Sequence, residues 1–449
     1  MMRLMILAIP LFLIGHATLG FTNCDLNSRG FAGFAYRDLS DADLDSLDRH
    51  DIEGIVVTMI VPGSPADEAA LEAGDIVTGF DGYTISDASD LMDALRTCYA
   101  GDTVLVSALR QGMEIECPLV FASNRETSEE VRIEYTCFES AGTRLRAVVT
   151  SPPGSEGVAL PALLLVSALG SPRFSGLPYY SMGRELAHTF SRNGFRVLRF
   201  ELRGAGDSEG EDYRTSDFMT EVEDNLAALA YLKARPDVDS GRVFVMGHST
   251  GGMVAAVVGE RRDLAGLIVS CTVGRTFYER MLETLRFQGE MGGNSPGELD
   301  RTLKAYLDLT VGVARGDSLS TLVSQNPDIA AYINSSGRIM DDRNTDYWRQ
   351  QLNLNLSKTY AGIEEPVLIV YAASDFLTQL ACHEHIRDVL AGSGNENVTL
   401  EVIEGVDHAY SDATDKEESY TNYRTREFRG NPEPIERIVE WLKETGPGG

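Results

Sequence analysis

Lysine is the residue this chain most lacks. Its 449 residues include five lysines, the first at Lys233, against 34 arginines. Cations are few altogether: 39 Lys and Arg face 68 Asp and Glu, for a formal net charge of −29. That deficit argues against a nucleic-acid partner, because phosphate backbones are held by clustered Lys and Arg. It equally disfavours an anionic membrane surface. Genome composition and adaptation to salt both produce such a balance, and the sequence does not separate them.

Cysteine is sparse as well. The six residues Cys24, Cys98, Cys117, Cys137, Cys271 and Cys382 form no C-x-x-C spacing, so a zinc-ribbon or dithiol redox site is not expected. Long apolar runs are absent beyond the N-terminus. Residues 4–15 are apolar but fall short of the roughly 20 residues that span a bilayer. With Arg3 before this run and Ala17, Thr18 and Gly20 after it, residues 1–22 read as a signal peptide. Export to a periplasmic or extracellular space is therefore expected, an anchor retained through Phe21 being the alternative. Asn23 before Cys24 is unlike a lipoprotein signal. Export permits disulfides, and Cys98 with Cys117 is the candidate pair, since both lie in one small segment. At 43% hydrophobic and 24% charged residues the chain is globular, with length for two or three domains.

Residues 29–122 read as short strands and turns around one or two helices. The run 54–60 is strand-like, and Ser64-Pro65 starts a helix continuing to Leu71. The run 76–80 is a strand before an Asp81-Gly82 turn. Residues 87–97 form an amphipathic helix with Leu91, Met92 and Leu95 on its apolar side. A hairpin runs across Gln111-Gly112. The stretch Val61-Pro62-Gly63-Ser64-Pro65-Ala66 through Ala69-Ala70-Leu71-Glu72-Ala73-Gly74-Asp75-Ile76-Val77 resembles a PDZ domain of the bacterial periplasmic-protease type, with Ala70 where that family has Gly. The resemblance implies a small β-sandwich or barrel that binds C-terminal or extended peptides by strand addition. Phe31, Ala32, Gly33 and Phe34 would form its carboxylate loop, and helix 87–97 the other groove wall. A docking module that binds no free peptide is the alternative. The segment holds 18 acidic and 5 basic residues, so much of the net charge is concentrated here.

A polar linker, 124–130, leads to residues 131–446, where strands and helices alternate as in a parallel sheet covered by helices. Strands are expected at 132–138, 145–151, 162–166, 195–200, 243–246, 267–271, 367–371 and 398–402. Gly247-His248-Ser249-Thr250-Gly251 lies between a strand and a helix, the setting a G-x-S-x-G nucleophile requires. The base must take the serine proton, and His408 lies in a Gly-containing loop after the last strand. Asp375, at the end of strand 367–371, is the candidate acid, with Asp407 as runner-up. This order of Ser, acid and His, with Leu202-Arg203-Gly204-Ala205-Gly206-Asp207-Ser208 and Glu365-Pro366-Val367-Leu368-Ile369-Val370, resembles the serine-aminopeptidase-like and dienelactone-hydrolase-like esterases.

The resemblance implies an α/β-hydrolase fold and an acyl-enzyme mechanism needing no cofactor or metal. Its oxyanion hole would use the Leu169 and Thr250 N–H groups, although Ser167-Ala168-Leu169-Gly170 replaces the family's His-Gly. Arg203 would anchor a turn. Residues 272–362 would form a helical cap, with pocket-lining candidates among Phe277, Tyr278, Phe287, Tyr306, Tyr332, Tyr347 and Trp348. The run Cys382-His383-Glu384-His385 offers too few convergent ligands for a metal. The expected activity is hydrolysis of carboxylic esters. A peptidase or amidase, and a PDZ scaffold with an inactive hydrolase domain, are the alternatives.

Overall fold

The computed structural model describes residues 24–47, 51–123, 125–168, 182–334, 336–340, 342–425 and 429–445. The signal-peptide assignment, 1–22, lies outside them. Among the described residues no helix is long and apolar enough to cross a membrane.

The front domain is built on a sheet in the order Phe34–Asp38, Ile55–Ile60, Ile76–Phe80, Thr103–Arg110, Met113–Val120, with Tyr83–Thr84 paired to Ile76–Phe80. Two turns set its register. Asp81 and Gly82, and likewise Gln111 and Gly112, are successive residues at positive φ, matching the twist of tight hairpins. Val57, Val77, Phe80, Leu91, Val106 and Leu119 make the core. Ser64 caps the helix Pro65–Glu68 as its sequence predicts, but the helix stops short of Leu71 because Ala70 turns left-handed at φ 58°. The second helix runs Ala88–Leu95, capped by Asp87; Leu91 is buried, while Met92 faces solvent.

Cys98 and Cys117 are both free thiols filling this core, so the pairing expected of them is not made. The disulfide is instead Cys24–Cys137, with Cα atoms 5.5 Å apart. It fastens the start of the described chain to the strand Arg132–Ser140 of the second domain. Alongside it Arg146 Nη2 donates to the Leu26 carbonyl (2.6 Å) and the Arg29 N–H to Asp207 (2.6 Å). The supposed linker is anchored too. Glu126 is buried against Arg199, and its N–H donates to the Tyr135 hydroxyl at 2.7 Å. Arg96, just past the second helix, pairs with Asp212 at 2.7 Å. The front domain is thus fixed to its neighbour at both ends and at one side.

The large sheet has eight strands in the order Val398–Ile403, Val367–Ala372, Gly266–Ser270, Val238–His248, Leu160–Val166, Arg196–Phe200, Thr143–Ser151, Arg132–Ser140. All eight expected strands are present, but the sheet is mixed rather than parallel. The first two strands form a hairpin through Ala141-Gly142, and Thr143–Ser151 also runs antiparallel to Arg196–Phe200. The other strands are parallel. Several, such as Gly266–Ser270 and Val367–Ala372, are buried at every residue, which is why they read as continuous apolar runs.

Between Gly266–Ser270 and Val367–Ala372 the chain is helical: Phe277–Met291, Pro296–Arg315, Leu319–Gln325, Thr345–Leu352 and Leu356–Ala361. This helical segment is clamped to the core by Arg343, which pairs with Glu221 of helix Phe218–Ala234 at 2.5 Å and lies 3.9 Å over the Tyr347 ring. Removing one partner of such a buried pair leaves the other charge uncompensated. Arg343→Ala is expected to cost about 3–5 kcal/mol in denaturant unfolding. A paired Arg343→Met/Glu221→Leu variant should recover most of that loss, and equal losses in both would contradict the clamp.

Candidate active site

Ser249 stands where the strand Val238–His248 turns into the helix Gly251–Arg261. Its φ of 55° is left-handed, a strained conformation for a residue with a side chain. Three glycines make the turn. A Cβ at residue 247 would lie 2.2 Å from the Gly251 carbonyl oxygen, one at 251 would lie 2.7 Å from the Ser167 carbonyl oxygen, and one at 252 would lie 2.3 Å from Thr272 Oγ1. The Ser249 N–H donates to the Ser270 carbonyl (2.9 Å), and Thr272 Oγ1 donates to the Ser249 carbonyl (2.6 Å).

Asp375 follows the strand Val367–Ala372 and is fully buried. Its Oδ1 accepts the N–H groups of Leu377 (2.7 Å) and Thr378 (3.0 Å), and its Oδ2 accepts the Thr378 hydroxyl and His408 Nδ1 (2.7 Å). Burial opposes its charge, but the His408 ring and these donors outweigh burial and hold the carboxyl well below the usual range. With Nδ1 toward Asp375, His408 has its Nε2 left for a reacting proton. No hydrogen bond joins Ser249 Oγ to His408 among the described residues; such bonds often tighten only once substrate is bound. The two loops meet through His248, whose ring lies 4.8 Å from that of His408.

Asp407, the runner-up acid, is turned into its own loop, where Oδ1 accepts the Ala409 and Ser411 N–H groups, both at 2.9 Å. Thr250 starts the helix after Ser249 and is buried. Leu169, the other expected oxyanion donor, lies outside the described residues. In the front domain Phe31, Ala32, Gly33 and Phe34 lead into an edge strand, Phe34–Asp38, beside helix Ala88–Leu95. The Ala32 and Gly33 carbonyls accept the Ala66 (2.8 Å) and Val61 (2.9 Å) N–H groups. Gly33, at φ 86°, leaves no room for a Cβ against Ser64.

Of the aromatics expected to line a pocket, Phe277, Tyr306, Tyr347 and Trp348 are buried in packing. Phe287 is half-buried and stacks on Phe376, the neighbour of Asp375, with centroids 6.1 Å apart. Arg203 anchors its turn to Asp224 (2.6 Å) and the Ser140 carbonyl (3.1 Å). In the Cys382–His385 run, His383 binds backbone through both ring nitrogens and His385 bonds Ser357. Among the described residues one group, Cys271, Asp375 and His408, brings metal-type donor atoms within 4.8 Å of one another. The Asp375–His408 bond occupies two of them, and burial beside Asp375 keeps the Cys271 thiol protonated. Sequence reasoning missed Thr272, Thr378 and Cys271. Only Thr378 left a signal, a hydroxyl three residues beyond the acid, as in a cap.

A family model described as serine aminopeptidase, S33, matches residues 179–412, and a PDZ-domain model matches residues 30–119. The quorum-quenching protein AidA of Acinetobacter baumannii is 30% identical over 34% of this chain and 49% of its own length. The esterase EstD of Thermotoga maritima is 32% identical over 32% of this chain and 34% of its own. A probable periplasmic serine endoprotease, DegP-like, of Chlamydia trachomatis is 28% identical over 20% of this chain and 18% of its own. The chain spans about half or less of the length of these relatives.

Burial lowers the pKa of His248 to about 3 and of His383 to about 4, from an ordinary 6.5. The unfolded chain therefore binds protons that the folded one refuses, so stability is full above pH 6.5 and falls on acidification. Each histidine should contribute a slope of about 1.4 kcal/mol per pH unit down to its folded value. Urea unfolding at pH 7, 6 and 5 measures this; constant stability across that range would contradict it.

Proposed function

Because the chain belongs to the serine aminopeptidase (S33) family of α/β-hydrolases and carries a PDZ domain ahead of the catalytic domain, we propose that it hydrolyses carboxylic esters through an acyl-enzyme on Ser249. The observation that carries this reading is the 2.7 Å bond from His408 Nδ1 to a buried, ionised Asp375. Asp375 fixes the His408 tautomer and offsets the imidazolium charge. His408 Nε2 takes the Ser249 proton as Oγ bonds to the acyl carbon. The Leu169 and Thr250 N–H groups stabilise the oxyanion. His408 then protonates the departing alcohol, and water, activated by the same ring, releases the acid.

The similarity to an esterase supports the ester substrate. The family description favours a second reading, hydrolysis of aminoacyl amides by the same residues. We assign residues 29–122 to the PDZ domain, 131–446 to the hydrolase and 272–362 to its cap. The open edge strand Phe34–Asp38 supports binding of a peptide or protein C-terminus at the Phe31–Phe34 loop. Export is supported by the Cys24–Cys137 disulfide and by the periplasmic relatives of the PDZ domain.

Fluorophosphonate should label the wild type but not Ser249→Ala, and Ser249→Ala should lose about 10⁴-fold or more in ester turnover. Absence of labelling would remove the serine-hydrolase mechanism, and cleavage of aminoacyl anilides but not esters would select the second reading. Peptides with neutral or basic C-termini should bind the PDZ domain more tightly than acidic ones, most clearly at low salt. Equal affinity, or no binding of any peptide, would contradict the assigned groove.

A further inference from the structure

The stretch Cys382–His385 carries no metal geometry, yet His383 is fully buried and both its ring nitrogens are bonded. Its Nε2 accepts the Thr272 N–H at 3.0 Å, and its Nδ1 lies 2.9 Å from the Gln379 carbonyl. Because an N–H donates to Nε2 and a carbonyl can only accept from Nδ1, the ring is neutral with its proton on Nδ1. Burial favours the same neutral form.

The two partners belong to different parts of the site. The Thr272 hydroxyl donates to the Ser249 carbonyl at 2.6 Å, inside the strained turn. Thr272 follows Cys271, which is itself left-handed at φ 45°. Gln379 directly precedes the helix Leu380–Gly392 and follows Thr378, whose N–H and hydroxyl both donate to Asp375. The helix is also pressed close to the Thr272 segment, since a Cβ on Gly274 would stand 2.0 Å from the Cys382 carbonyl oxygen.

We propose that His383 is a positioning residue that ties the Ser249 turn to the Asp375 loop, through Thr272 on one side and Gln379 on the other. The proposal rests on the reading in which Ser249 is the nucleophile and Asp375 the acid. His383 touches no reacting atom. It adds a side-chain tie between the Thr272 segment and the helix that follows the Asp375 loop, so its loss moves Ser249 relative to the base. A displacement near 1 Å at a reacting group can cost roughly 10²-fold in rate.

The test compares fluorophosphonate labelling rates and ester kcat and KM for wild type, His383→Phe, His383→Gln, Thr272→Val and Thr272→Ser, each corrected for folded fraction. His383→Phe should keep the ring against Tyr371 but lower labelling and kcat about 10–100-fold with KM nearly constant. His383→Gln, whose amide oxygen can accept the Thr272 N–H, should recover part of the loss. Thr272→Ser should retain the rate and Thr272→Val lose it. A His383→Phe variant that labels at the wild-type rate, or a Gln variant no better than Phe, would overturn the proposal. Imidazole nitrogen spectra and exchange of the Thr272 amide examine the bridge independently of labelling. A proton on Nδ1 and slow exchange that is lost in His383→Phe are expected. An Nε2–H tautomer, or exchange unchanged by the substitution, would overturn the bridge, whereas failure of every variant and the wild type to label would count against Ser249 instead.

Discussion

At residue 247 even one added carbon would stand 2.2 Å from the Gly251 carbonyl oxygen, closer than unbonded atoms approach. That steric limit governs the catalytic half of the molecule. It lets a buried strand turn directly into a helix and forces Ser249 to φ 55°. The neighbouring strand ends then have fixed positions. Ser270 receives the Ser249 N–H, Thr272 fits where Gly252 has no side chain, and the adjacent strand Val367–Ala372 delivers Asp375. The backbone strain is held by the parallel strands of the mixed sheet around it, which are buried on both faces and have little freedom to relax.

The acidic composition takes on a different meaning in the folded chain. Arg146, Arg196, Arg199 and Arg343 are among the largest fully buried side chains. Each has an acidic partner: Asp207, Asp237, Glu126 and Glu221. A planar fork with several donors suits such sites better than a compact ammonium, which gives part of the arginine preference a structural basis. Arg199 with Glu126 and Arg146 with Leu26 also hold the segments on either side of the PDZ domain, so the charge pattern helps seat one domain on the other.

Much of this was legible in the sequence because it depends on local chemistry. Buried strands announce themselves as apolar runs, and the setting of Gly247-His248-Ser249-Thr250-Gly251 follows from flanking periodicity. The choice of Asp375 over Asp407 followed from its place at the end of a strand and from Asp407 being a sequence neighbour of His408, and the structure turns Asp407 into its own loop. What was not legible depends on distant pairing. Nothing near Cys24 points to Cys137, and the shared small domain of Cys98 and Cys117 suggested a bond that their core positions do not make. Glu126 looked like a linker residue because its partner is 73 positions away. The antiparallel start of the sheet rests on the Ala141-Gly142 turn, which the alternation of strands and helices over 131–446 does not bring out. The part His383 plays was not visible because its partners are backbone groups, which sequence does not display.

The central claim is that Ser249 carries the acyl group during turnover. Rapid quenching of the protein with an activated ester, followed by peptide mapping by mass spectrometry, addresses it most directly. The account predicts a transient acyl adduct on the peptide containing Ser249, formed at a rate matching turnover and absent from His408→Ala. An adduct on another residue, or turnover with no covalent intermediate under the same quench, would contradict it.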